Sequence, residues 1–445
     1  MKRIFAGKDI GFLIKKSGIA IIVKAGGMIA QYLFIYTLAR LSGPGNLGTF
    51  TLSYTIIQLL IILALLGLDN LLTRKIATAN ARNDMREKAK SYRMTLRAST
   101  IASVVITVIL FSLSGLIAEQ LFHKPALTSS LRVIALSLPF FTSVVIHSGA
   151  YRGNKNMLGF TVYRTIIPLI NMLVLLLSHF LKLDLLPATG FTMASVITAF
   201  GYSYFWKKEI PDEHPETIHK AEYREMLRES LPMLMTGSIF FILNWIDNLC
   251  IGYFRTESEV GIYDTAFKIA AASAIILQAV NAIQAPVFAE FKAGGDIRKL
   301  RKTVFESNRI LFVSTLPITA LLMLFPGFLL SFFGTAFMAG ALSLSILAVS
   351  NMLSAICGSV GILLQMTGHQ VVYNRIIMIA ALLSILLNIA LIPIYGIAGA
   401  AIASSVAKVF QNFASSVVVY RKFGIFSVYI PWFTYSIVSK KNNKE

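Results

Sequence analysis

Three ionisable side chains lie where hydrocarbon should surround them. Residues 231–253 and 260–285 are apolar runs, each long enough to cross a bilayer. Asp247 sits in the first, and Asp264 and Lys268 sit in the second. A charge at bilayer depth costs about 2.5–3.5 kcal/mol or more, so such groups face a bundle interior or a watery cavity. Asp247 lies about 9 Å from the outer end of its run and Lys268 about 12 Å from the same surface. The matched depths make an interhelical Asp247–Lys268 ion pair available. Asp264, one turn before Lys268 on the same helix, is the alternative partner. Asn244 and Asn248 share the Asp247 face and extend it as a polar stripe. The plainest reading is a neutral clamp between two helices. The sharper one, preferred here, is that Asp247, Asp264 and Lys268 line a path for a polar substrate.

Other polar groups fall inside apolar runs. Lys24 lies six residues from the cytoplasmic end of the first run, where its stem reaches either a cavity or the headgroups. Gln31, Tyr32 and Tyr36 continue that helix as a polar and aromatic face. Lys408 is near the middle of the last run, with Gln411 and Asn412 beside it, and needs a buried partner, so a cavity role and a structural one stay open. Arg164 is placed to snorkel, and Asp69 with Asn70 to pair with Arg74 or Lys75. Lys24, Arg164, Lys268 and Lys408 outnumber Asp247 and Asp264. Such an excess suits an anionic group such as phosphate or pyrophosphate, which a lysine meets as a point charge. Catalytic patterns are missing: the six histidines have no metal-ligand spacing, and no phosphate-cradling nucleotide loop occurs. His147 is read as a packing residue. Cys250 and Cys357 both fall in apolar runs and form no disulfide or zinc pattern. No catalytic residue, cofactor or metal is expected.

The elements that position these groups follow from composition. The chain is 56% hydrophobic and only 14% charged, with mean hydropathy +0.70, whereas a soluble domain carries about a quarter charged residues. Twelve apolar runs recur, at 18–38, 47–71, 98–121, 131–150, 158–180, 186–206, 231–253, 260–285, 310–332, 341–364, 373–392 and 395–419. Strands of a membrane barrel would be shorter and alternating, so the runs are helices and the fold class is all-α. The net charge of +20 comes from lysines and arginines gathered in alternate loops, 31 on one side and 4 on the other. That asymmetry, which needs no nucleic-acid partner, places both termini in the cytoplasm. The segment 1–17 is basic and weakly amphipathic, with an apolar run too short for a cleavable signal, and is expected on the membrane surface. The opposite loops are short, leaving no external domain.

The two halves echo each other. Pro44–Phe50 before the second run corresponds to Glu257–Tyr263 before the eighth, 213 residues on. Leu185–Gly190 corresponds to Leu391–Gly396, and Asp84 to Asp296, at offsets of 206 and 212. Both halves start on the cytoplasmic side, so they read as parallel repeats around a central cavity. The expected domains are an N-terminal lobe at 1–206, a charged linker at 207–229 with Pro211 and Pro215, a C-terminal lobe at 230–420, and a basic tail at 421–445. Within the tail, 424–438 is too short to cross and is expected as an interfacial or re-entrant helix anchored by Trp432.

Three stretches carry a family resemblance: Leu38–Gly48 continued by Gly67–Leu68–Asp69; Trp245–Ile246–Asp247 with Glu259–Tyr263 and Ala285–Pro286; and Leu387–Ala403. They resemble the flippases for O-antigen and teichoic-acid precursors, in the multidrug/oligosaccharidyl-lipid/polysaccharide exporter superfamily. The resemblance implies a two-lobed, twelve-helix flippase in the bacterial cytoplasmic membrane. It would move polyprenyl-pyrophosphate-linked oligosaccharide outward by alternating access, among membrane lipids and beside polysaccharide assembly enzymes. Runs one, two, seven and eight would line the cavity, which makes Lys24, Asp247, Asp264 and Lys268 the substrate-binding candidates. Gln31, Asn244, Asn248 and Lys408 follow as cavity or structural residues. The alternatives are a gradient-driven small-molecule exporter, for which acidic cavity groups are expected, and a membrane polymerase, for which a large external loop is expected.

Overall fold

The structure, a computed structural model, describes residues 7–209, 219–294 and 297–429. The chain divides into two compact units, Met1–Phe241 and Ile242–Glu445. The first is built from α1 (Gly7–Leu65), α2 (Leu68–Ala81), α3 (Met85–Gly115), α4 (Ala126–Ala135), α5 (Leu138–Gly153), α6 (Met157–Thr161), α7 (Tyr163–Phe180) and α8 (Pro187–Lys207). α9 (Lys220–Phe254) runs from the first unit into the second. The second continues with α10 (Glu257–Ala271), α11 (Ala274–Gly294), α12 (Ile297–Leu324), α13 (Pro326–Ser331), α14 (Ala341–Cys357), α15 (Val360–Met366) and α16 (Gln370–Phe423). No strand occurs among the described residues, and the protein is an all-α, multi-pass membrane protein.

Helix length and hydropathy account for the crossings. Six described helical stretches are long and apolar enough to span a bilayer, or up to nine if each of three bent pairs is one span. α1 and α16, of 59 and 54 residues, run to about 80–90 Å at 1.5 Å per residue, far more than a single crossing needs. Each breaks at one glycine, Gly43 (φ 74°) in α1 and Gly396 (φ 59°) in α16. Only a residue without a Cβ takes that backbone cheaply. Pro44 and Pro393 lie beside the breaks. The turns expected between runs one and two and between runs eleven and twelve are made at these single glycines, each joining two helical arms. Two crossings in each of α1 and α16, with α8 added, bring the number to about twelve.

Local chemistry sets the other boundaries. Thr256 and Glu259 form a reciprocal capping box at the start of α10. Asp84 caps α3 by accepting from the Glu87 N–H at 2.9 Å. The charged stretch expected as linker is helix from Lys220 onward. Glu222 pairs with Lys90, and Glu229 with Arg74 at 2.8 Å, while Met226 is buried. Gly67, with φ 73°, admits this helix: a Cβ there would sit 2.5 Å from the Ser230 carbonyl oxygen. At the other end, Gly424–Tyr429 is not helical. Tyr429 rests between Phe305 and Phe312, and its N–H donates to the Ile356 carbonyl at 3.0 Å. The remainder of the expected tail helix, Trp432 included, lies outside the described residues.

Candidate functional site

The polar groups of the second unit gather where α9, α10, α14 and α16 meet. Asp247, on the part of α9 beyond residue 241, is only 4% exposed. Its Oδ2 accepts from the Tyr263 hydroxyl of α10 at 2.6 Å and from the Ser404 hydroxyl of α16. Its Oδ1 accepts from Asn388 Nδ2 at 2.8 Å. Asn388 and Ser404 stand eight residues before and after Gly396, so one carboxylate holds both arms of the kinked helix. Asn388 also donates to the Ser384 carbonyl at 2.9 Å. Three neutral donors on a buried carboxylate satisfy it without a cation, as a polar group removed from water requires.

A second carboxylate, Asp264, directly follows Tyr263 on α10. Asp264 is 2% exposed, and Lys268, four residues later on α10, donates to its Oδ2 at 2.5 Å. Asn248, the neighbour of Asp247, reaches Oδ1 at 3.5 Å. The matched depths of Asp247 and Lys268 suggested an interhelical pair, and the structure forms the same-helix pair instead. The reason is geometric. The oxygens of Asp247 are already filled by Tyr263, Ser404 and Asn388, and an acid four residues before a lysine is the favourable helical order.

Lys408 completes the group. Its Nζ donates to Asn351 Oδ1 at 2.5 Å. Asn351 in turn donates to the Ala270 carbonyl at 2.7 Å and is 2.9 Å from the Ser273 hydroxyl. Ser404 and Lys408 are one turn apart on α16, so a polar chain runs from Asp247 through α16 and α14 to the end of α10. Two acids and two lysines give this cluster no formal excess charge. The positive surplus counted from the sequence does not arise here.

The remaining candidates are elsewhere. Asn244, three residues before Asp247 on α9, is exposed. Gln31 is exposed on α1 of the first unit. Lys24 lies in α1, and its side chain falls outside the described residues. Arg164 lies over the rings of Phe160 and Tyr163, 5.8 and 5.7 Å from their centroids. Asp69 does not pair with Arg74, which takes Glu229. Neighbouring Asn70 accepts from Arg152 at 2.8 Å. His147 is packed as expected, buried and 2.8 Å from the Tyr92 hydroxyl. Among the described residues no group of three His, Cys, Asp or Glu side chains is placed to hold a metal ion.

Tyr263, Asn351, Asn388 and Ser404 were not singled out from the sequence. Asn351 and Asn388 carried a readable signal, an amide inside an apolar run. Ser404 carried none, because a serine on a helix can satisfy itself on the preceding turn.

Solved structures share this fold. A structure of the lipid II flippase MurJ in an inward closed conformation aligns over 92% of this chain and 90% of its own, with TM-score 0.75 and 14% identity. An inward-facing multidrug resistance MATE family transporter of the MOP superfamily aligns over 91% and 98%, with TM-score 0.74 and 15% identity. By sequence, the chain is 27% identical over 170 residues to the probable low-salt glycan biosynthesis flippase Agl15 of Haloferax volcanii. That stretch is 38% of this chain and 36% of Agl15, so the match spans about a third of that curated relative. Residues 13–292, more than half of the chain, match the polysaccharide biosynthesis protein family, and the chain belongs to it.

Proposed function

We propose that this protein moves polyprenyl-pyrophosphate-linked oligosaccharide from the cytoplasmic to the outer leaflet of the cytoplasmic membrane, with both termini in the cytoplasm. Membership of a polysaccharide biosynthesis family carries the reading. In an all-helical multi-pass chain, the step such a pathway needs from a membrane protein is passage of the lipid-linked sugar. The likeness of fold to a lipid II flippase supports it. Two lobes, 1–206 and 230–420, would rock to expose the substrate alternately. Lys24, Asp247, Asp264 and Lys268 would form the polar surface past which the headgroup moves. Lys24 would meet its phosphates, and the carboxylates would hold Lys268 and the helices in place. Membrane lipids and polysaccharide assembly enzymes would be its neighbours.

A second reading has its own observation. The fold matches a multidrug MATE transporter as well as it matches MurJ, which suits a gradient-driven exporter of small molecules. Reconstitution separates the two. Proteoliposomes loaded on one leaflet with a polyprenyl-pyrophosphate-linked oligosaccharide are expected to expose it to an impermeant lectin on the other. Transport of a cationic dye under a proton or sodium gradient, with no movement of the lipid-linked sugar, would establish the exporter instead.

A further inference from the structure

The lysine best placed to meet an anion in the second unit is Lys408, not Lys268. Lys268 is 2.5 Å from the Asp264 carboxylate, so an incoming phosphate would have to compete with that bond. Lys408 has no such competitor. Among the described residues its Nζ donates to one neutral oxygen, Asn351 Oδ1. An ammonium carries three donors, so two remain for another acceptor. Asn351 is itself fixed, because its amide nitrogen reaches Ala270 and Ser273. That contact turns its oxygen toward Lys408 and holds the ammonium in one place.

Position adds to this. Lys408 is twelve residues beyond Gly396, about 18 Å along the helix and so near mid-bilayer. Its side chain is partly exposed there. At that depth hydrocarbon offers no acceptors, so the remaining N–H groups need water or a polar ligand. Asp247 is joined to Ser404, one turn away, but its oxygens are filled by neutral donors. The arrangement is a held cation with donors to spare.

We propose that Lys408 Nζ is an anion-binding group that contacts the phosphate end of the transported lipid. This rests on the lipid-linked substrate proposed above. The side chain acts as a point charge with at least one direct N–H to phosphate oxygen. Asn351 is its positioning residue, and Lys268 is held back by Asp264.

The experiment uses the purified full-length protein in detergent, with farnesyl pyrophosphate as probe and farnesol as its uncharged control. Wild type is expected to prefer the pyrophosphate. Lys408→Gln is expected to weaken its binding at least 10-fold with farnesol binding unchanged, and Lys408→Arg to restore most of the difference. A second readout needs no variant. Acylation of Lys408 by a small amine-reactive reagent, read by mass spectrometry, should slow when farnesyl pyrophosphate is present. Equal pyrophosphate affinity of Lys408→Gln and wild type, or unprotected Lys408, overturns the assignment while leaving the lipid-linked substrate standing. A wild type that does not distinguish farnesyl pyrophosphate from farnesol overturns the pyrophosphate reading itself, and this assignment with it.

Discussion

Replacing Asp247 tests whether its oxygens or its charge organise the second unit. In Asp247→Asn, the amide oxygen can keep the place of Oδ2 and accept from the Tyr263 and Ser404 hydroxyls, while the amide nitrogen faces Asn388, whose side-chain amide can flip to present its oxygen. That flip gives up the Asn388 contact to the Ser384 carbonyl. Tyr263 and Ser404 keep their acceptor and one amide contact is traded, so the expected cost is about 0.5–1.5 kcal/mol. Asp247→Ala removes all three acceptor contacts, and the losses are unequal. Ser404 can turn to a carbonyl of its own helix, and Asn388 keeps the Ser384 carbonyl at 2.9 Å. Tyr263, 1% exposed, is left with a buried hydroxyl that has lost its acceptor, which costs about 1–3 kcal/mol. The vacated space adds to this, so about 2–4 kcal/mol is expected in all. Reversible unfolding in mixed detergent and SDS micelles reads the difference. A Tyr263→Phe background should shrink the alanine penalty by about 1 kcal/mol or more, since the orphaned hydroxyl is gone. If Asp247→Asn proves as damaging as Asp247→Ala, the negative charge is what the site requires, and the argument from neutral donors is refuted.

Other perturbations follow from the same contacts. Gly67→Ala places a Cβ 2.5 Å from the Ser230 carbonyl oxygen and 2.6 Å from the Leu234 nitrogen at φ 73°. A loss of about 1–3 kcal/mol or more is expected in the same unfolding assay, and a neutral result would mean α9 does not pack there. Lys268→Gln strips a lysine from a carboxylate that is 2% exposed, whereas Asp264→Asn leaves a lysine that is 22% exposed. The first should cost about 3–5 kcal/mol and the second distinctly less, with the double variant near wild type; equal single penalties would contradict the pairing. Arg255→Ala removes the guanidinium that donates to the Ile392 carbonyl at 3.0 Å and the Pro393 carbonyl at 2.9 Å. Faster amide hydrogen exchange across residues 392–400 is expected, and unchanged exchange would show that the kink holds without it.

Much of the fold was legible because a bilayer imposes one dominant rule, burial of every backbone polar group within apolar helices. Hydropathy located the crossings. It did not tell a loop from a kink, since Pro44 and Pro393 are equally at home in either, and the distinction rests on the backbone of Gly43 and Gly396. The charged stretch after residue 219 read as linker because its helix is supported by tertiary pairs, Lys90 with Glu222 and Arg74 with Glu229. Nothing local announces them. In the candidate site, depth along a helix was readable from residue counting, but rotation about the helix axis was not. Depth alone allowed both partners for Lys268, and rotation chose Asp264. Asn388 lies inside the Leu387–Ala403 stretch and reads there as part of a pattern, although a buried amide in an apolar run always asks for a partner.

The partners found at the break in α16 bear on how the second unit can move. A kink at a glycine is a natural swivel, because the backbone there has little steric restraint. This one is held on two levels. Beside the break, Arg255 takes the Ile392 and Pro393 carbonyls that the interrupted ladder leaves open. Two turns to either side, Asn388 and Ser404 both bind Asp247. Rotating one arm of α16 against the other would separate a buried carboxylate from one of its donors, at a cost of about 1.5–3 kcal/mol for each charged hydrogen bond broken. Residues 242–254 of α9, α10 and both arms of α16 are therefore tied into one body. The contacts of Asp247 brace α9 and α10 against both arms of α16, one turn from Lys408.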